Sequence, residues 1–359
     1  MSTRLKEINQ VMVRSYVAKS NLLMLGKPGI GKTWTIEAFV DKMRETIPHF
    51  QMWHFYGPTM SPMDIQACMP DNATGTLKVY SNACLPNAYH HPDAVGVVFI
   101  GEMLNTDPTT LKLLQKYMNG CLKKPTGVMV VADSNRLEDK AGVMQQFRAL
   151  LNRFLQVDVY AEADDCTEFA AKHNWHPLVQ AFFRENPHLI DNYETVFSND
   201  SKKGKNADVL AEEGKKGIWA CMRGWNRISE LEFAAEQINS PVTMDEITGS
   251  VGIGPGMQFN TFKQMVGRLA SLEEVVNHPT TVSIPEKIDE LYALSCVVSL
   301  RCKAEHLKAI HQFAKRIQPD MQVFIIKTLM GRKQLNVVGT PEYREWILDP
   351  QINKLINAR

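Results

Sequence analysis

The stretch Gly26-Lys27-Pro28-Gly29-Ile30-Gly31-Lys32-Thr33 decides the fold. It matches the spacing G-x-x-x-x-G-K-[ST] in full, with a short apolar run (22–25) before it and a helical pattern (33–45) after it. The glycines let backbone N–H groups turn inward around an anion, and the helix N-terminus adds unpaired donors and partial positive charge. The pattern predicts a phosphate cradle built from Gly26, Pro28, Gly29, Ile30, Gly31, Lys32, Thr33 and Trp34. Lys32 is expected to reach the β- and γ-phosphates and the Thr33 hydroxyl to ligate Mg²⁺, so ATP with Mg²⁺ is the expected ligand.

Working outward, further strand-sized apolar runs occupy 50–55, 95–100, 128–132 and 154–159. Val-Gly-Val-Val-Phe-Ile (95–100) and Val-Met-Val-Val-Ala (128–132) are almost continuously apolar, as strands buried on both faces of a parallel sheet are. Helical patterns precede or separate them at 4–19, 33–45 and 110–119, the last with Thr106 or Asp107 as cap and Pro108 in its first turn. Alternating strands and helices predict an α/β P-loop domain over residues 1–160. Beyond about 165 the texture turns helical, with helices expected at 166–185, 217–238, 257–275, 285–301, 303–317 and 319–331. A polar stretch (198–216) and a glycine-rich one (249–256) read as loops. The expected division is therefore 1–160, a helical lid at 161–275, and a helical C-terminal region at 276–359.

The bulk of the chain narrows the function classes. It has 359 residues, 44% hydrophobic and 22% charged, with 40 basic against 39 acidic side chains and a net charge of +1. Near-neutral charge argues against nucleic acid as the main partner, because a coating protein needs a basic excess. The seven cysteines (Cys68, Cys84, Cys121, Cys166, Cys221, Cys296 and Cys302) include no Cys-x-x-Cys pair, so a reducing cytoplasm is expected rather than a disulfide framework. No apolar run has the length of a membrane span or a signal peptide. His54, His90 and His91 lack metal-ligand spacing, and Trp53, Phe55 and Tyr56 read as packing residues. The basic stretch around Lys202, Lys203, Lys205, Lys215 and Lys216 reads as a solvated loop. Residues 60–80, rich in Met, Pro and Gly, form either a loop or hairpin facing a central pore or partner, or an ordinary long connection.

Several segments together resemble the AAA+ ATPases of the MoxR type. They are Ala141-Gly142-Val143, Leu151-Asn152-Arg153-Phe154, Val130-Val131-Ala132-Asp133-Ser134-Asn135-Arg136 and the strand that ends at Glu102. The resemblance runs through most of the chain and continues at Met222-Arg223-Gly224-Trp225 and Gly249-Ser250-Val251-Gly252. It is similar to the bacterial and phage forms that act beside a von Willebrand A-domain partner. The resemblance implies that Glu102 polarises the attacking water and that Asn135 is the sensor-1 residue. It also implies that Arg153 is an arginine finger completing a neighbouring subunit's site, and that Arg223 is the sensor-2 arginine on the lid. It further implies a homo-oligomeric ring, usually of six subunits, that hydrolyses ATP while remodelling or chaperoning a partner protein. The plainer readings stand beside these: Arg153 in a surface ion pair, Arg223 packing the lid, and Asn135 capping a loop.

One position departs from that pattern. The family's Walker B strand ends in Asp-Glu, whereas this chain has Gly101-Glu102. The missing aspartate normally helps hold Mg²⁺. Weaker Mg²⁺ binding and slow turnover follow, so a nucleotide-gated scaffold with little hydrolysis is the alternative function. Asp133, at the end of the neighbouring apolar strand, is a candidate replacement, against the plainer reading of an exposed strand-end Asp. A nucleic-acid motor is a third class, disfavoured by charge.

Overall fold

The computed structural model describes residues 3–82, 84–88, 90–136, 148–197, 207–332 and 335–357. The chain divides into two units, Met1–Asp165 and Cys166–Arg359. In the first, the apolar runs are the strands β1 (Thr3–Arg4), β2 (Asn21–Leu25), β3 (Gln51–Tyr56), β6 (Val95–Gly101), β7 (Gly127–Ser134) and β8 (Phe154–Tyr160). They form one parallel sheet in the order β1-β8-β2-β7-β6-β3. Between β3 and β6, β4 (Gln66–Asp71) and β5 (Thr76–Ser81) pair as an antiparallel hairpin, so 60–80 contains regular structure with Met69, Leu77 and Val79 exposed.

The sheet is buried on both faces, as its unbroken apolar runs predict. Val97, Phe99, Met129 and Val131 pack with Ile36, Phe39 and Val40 of α2 (Lys32–Thr46) and with Ile8 and Met12 of α1 (Ile8–Val17). Val98, Ile100, Val130 and Ala132 pack on the other face with Leu111, Leu114 and Tyr117 of α3 (Pro108–Met118), and with Leu150 of α4 (Arg148–Leu151). Each such aliphatic side chain contributes about 1.5–3 kcal/mol on burial. Helix α2 stops at Ile47, whose extended backbone suits the residue before Pro48. Helix α3 starts where Asp107 accepts the backbone N–H groups of Thr109 and Thr110.

The second unit is helical. Its elements are α5 (Ala163–Lys172, which starts in the first unit), α6 (Pro177–Glu185), α7 (Tyr193–Phe197), α8 (Ala207–Lys216), α9 (Met222–Ile238), α10 (Met244–Val251), α11 (Ile253–Val266) and α12 (Leu272–Asn277). There follow α13 (Ile288–Arg301), α14 (Leu307–Ala314), α15 (Pro319–Gly331), α16 (Pro341–Leu348) and α17 (Pro350–Asn357). The helix expected over 166–185 is two helices: Asn174 turns left-handed (φ 52°), and Pro177 opens the second. The loop expected at 249–256 is also corrected. It lies in α10 and α11, broken only at Gly252 (φ 92°), and Gly256 packs closely against Thr248. Residues 207–216, with Lys215 and Lys216, are likewise helix rather than loop, while 198–206, with Lys202, Lys203 and Lys205, lies outside the described residues. No helix among the described residues is long and apolar enough to cross a membrane.

Candidate nucleotide site

The strand order places three carboxyl ends side by side. β2 runs into the glycine-rich loop, its neighbour β7 ends in Asp133-Ser134 before Asn135, and the next strand, β6, ends in Gly101 before Glu102. Open α/β sheets bind ligands outside such ends. The loop turns at Gly29 (φ 80°) and Gly31 (φ 99°), backbone conformations that cost an L side chain about 1 kcal/mol or more. Gly31 occupies the N-cap position of α2, so the first helical residues are Lys32 and Thr33.

Lys32 is only 7% exposed. Its Nζ donates to the carbonyl oxygens of Gly26 and Lys27, each at 2.8 Å, and to Asn135 Oδ1 at 3.2 Å. A buried ammonium needs such acceptors. Asn135, just after β7, therefore faces the loop that carries Lys32. Ile30 is buried and Trp34 half-buried, while Pro28 sits half-buried on the turn.

Asp133 is 4% exposed and ties the site together. Its Oδ2 accepts the Thr33 hydroxyl proton at 3.2 Å, and its Oδ1 accepts the Glu102 backbone N–H at 2.9 Å. Burial pushes its carboxyl above the usual range, opposed by the Glu102 N–H, the Lys32 charge and the Thr33 hydroxyl. The plainer reading of an exposed strand-end Asp is thus set aside. Glu102 takes a left-handed backbone (φ 50°, ψ 42°), and its Oε2 accepts from Asn105 Nδ2 at 3.2 Å. Asn105 is not legible as a site residue: it closes a single 3-10 turn, Met103–Asn105, with no motif to mark it.

The donor set fits Mg²⁺, which takes hard oxygen ligands and is commonly held by one or two carboxylates together with phosphate oxygens and water. Here the oxygens are those of Thr33 and Asp133. Among the described residues no cluster of three or more His, Cys, Asp or Glu side chains could hold a metal by itself, so phosphate oxygens must complete the set. A Cβ at Gly101 would meet His54, Phe99 and Tyr56 at 3.6–3.7 Å, ordinary contacts, so crowding does not account for the glycine.

One predicted residue of the same unit lies away from this cluster. Arg153 precedes the amino end of β8, beside Asn21, whose Nδ2 donates to the Arg153 carbonyl at 3.5 Å. The length of β2 thus separates it from its own phosphate loop, roughly 15 Å. Its exposed guanidinium donates to Asn119 Oδ1 at 2.6 Å and to the Ala149 carbonyl. Arg223 is exposed in the first turn of α9, in the second unit. The segment Ala141-Gly142-Val143 lies outside the described residues.

No protein-family model matches the chain, and no curated protein matches it. Among solved structures it is similar to the RuvB Holliday junction branch migration motor of Thermotoga maritima. That match has 11% identity and a TM-score of 0.33, covering 94% of this chain and 89% of that one. It is also similar to NtrX from Brucella abortus, with 13% identity and a TM-score of 0.38, covering 99% of this chain and 68% of that one. Likeness at this level adds nothing to what the strand order already gives.

Proposed function

We propose that the chain is an AAA+ ATPase that binds ATP with Mg²⁺ at the phosphate loop, hydrolyses it, and couples the cycle to remodelling of a partner protein. One observation carries this reading: Lys32 donates to Asn135, and Thr33, the next residue, donates to Asp133, which also holds the Glu102 backbone, so three adjacent strand ends converge on the loop. Phosphoryl transfer asks little covalent chemistry of a protein, so catalysis is positioning plus stabilisation of developing charge. Lys32 exchanges carbonyl acceptors for phosphate oxygens, and Asn135 holds the water's approach beside the γ-phosphate. The Glu102 carboxylate takes the proton as water attacks phosphorus and ADP leaves. Mg²⁺, held by the oxygens of Thr33 and Asp133, would neutralise the charge that develops on the phosphates.

Arg153 is assigned to a neighbouring copy's site, which its distance from its own loop supports, and a ring of about six copies follows from the resemblance. Arg223 is assigned to the lid over residues 161–275, with 276–359 as a separate helical region. Phe182, Trp225 and Phe259 cluster in the former, and a core running from Leu291 to Ile352 fills the latter, with Val275 of the former packed into it. A von Willebrand A-domain protein is the proposed partner, and the cytoplasm the proposed compartment. The rival reading, a scaffold that binds ATP without turning it over, rests on Gly101.

Phosphate release measured against Mg²⁺ concentration, with Lys32→Ala and Glu102→Gln controls and particle size in parallel, tests the proposal. Turnover that requires Glu102 and an assembled species supports it. ATP binding with turnover no higher than in Glu102→Gln favours the scaffold.

A further inference from the structure

We infer that Asp133 is the carboxylate that holds the nucleotide's Mg²⁺, in place of the one absent at Gly101. The inference rests on the ATPase reading above and deepens it. Side chains alternate along a strand, so residues two apart share a face. On β6, Val97 and Phe99 pack on the α2 side, and Gly101 follows them on that face. On β7, Met129 and Val131 pack on the same side, and Asp133 follows them.

The register pairs Phe99 with Val131 and Ile100 with Ala132, which makes Gly101 and Asp133 the next rung. The carboxylate has therefore moved sideways by one strand, about 4.8 Å. The move is toward the phosphate loop, because Asp133 also pairs directly with Met24 of β2, two residues before Gly26. Its side chain already meets the Thr33 hydroxyl, the other protein oxygen the ion requires.

A purely architectural role would not need the charge. Asparagine has the same shape and keeps an oxygen to accept the Glu102 N–H, so Asp133→Asn separates metal binding from scaffolding. The experiment titrates a fluorescent ATP analogue into the full chain twice, with excess Mg²⁺ and with EDTA. Wild type should bind more tightly with Mg²⁺. Asp133→Asn should lose about ten- to a hundredfold of affinity in Mg²⁺, with binding in EDTA unchanged. Adding Gly101→Asp to that variant should restore the metal dependence, since a Cβ at 101 makes only ordinary contacts.

Asp133→Asn with undiminished metal dependence would overturn the inference. So would an equal loss in both buffers, which would assign Asp133 to the architecture of the loop. Wild type that binds the analogue in neither buffer would defeat the ATPase reading itself, and this inference with it.

Discussion

Asp133 Oδ1 accepts the backbone N–H of Glu102 at 2.9 Å, which pins the start of the turn that presents the Glu102 carboxylate. The same side chain meets Thr33, so the proposed metal-binding hydroxyl and the proposed general base are positioned through one residue. Geometry at the phosphate end and at the water end of the site is thereby coupled.

Asn105 orients that carboxylate by donating to Oε2. Asn105→Ala should lower kcat about tenfold, the worth of one hydrogen bond of roughly 1.5 kcal/mol to a charged group. ATP affinity should stay within about twofold, because nothing is removed from the phosphate loop. Single-turnover phosphate release and equilibrium titration together read the two effects.

Lys32→Ala removes the cation that the loop motif assigns to the β- and γ-phosphates. Two charge-assisted hydrogen bonds are worth about 3 kcal/mol or more, so ATP affinity should fall roughly a hundredfold. Titration of a fluorescent ATP analogue measures it.

On the proposed reading, Arg153 acts on another copy rather than its own. Arg153→Ala should leave ATP affinity unchanged and reduce turnover about a thousandfold. Mixing it with Lys32→Ala should recover part of the activity, because one variant supplies an intact loop and the other an intact arginine. Activity assays across mixing ratios read this directly, and a flat response would remove Arg153 from catalysis.

The sequence was most legible where burial is complete. Residues 95–100 and 128–132 are apolar because both faces are covered, and the glycine-lysine loop is dictated by phosphate geometry. The glycine-rich segment at 249–256 misled because glycine has two uses. At Gly252 it turns the chain, but at Gly256 a Cβ would stand 3.0 Å from Thr248 Cγ2, so the residue is there for close packing. Asn105 was invisible because its role is set by a tertiary contact across one turn. The carboxylate at 133 could be nominated from its strand end, but its partners depend on register, which a single strand does not encode.

Glu185, at the end of α6, gives a pH prediction. Burial, with repulsion from Asp289, pushes its carboxyl up to about 7 from an ordinary 4.5. Its Oε1 is buried without a hydrogen-bond partner. The folded state therefore favours the neutral acid, so this contribution is full below about pH 4.5 and lost as pH rises through 7. Glu185→Gln should gain in Tm relative to wild type between about pH 5 and pH 8. With the group only partly buried, the gain should be about 1 kcal/mol, or 2–4 °C. Melting curves across that range measure it.

The left-handed backbone of Glu102 has a consequence for how the chain can drift over generations. Glycine would hold that conformation without the penalty of about 1–2 kcal/mol that a side chain brings. Random substitution toward glycine there makes the fold sturdier while deleting the proposed base. A lineage released from the need to split ATP would thus be drawn downhill, by stability alone, into a form that still grips its nucleotide and no longer spends it.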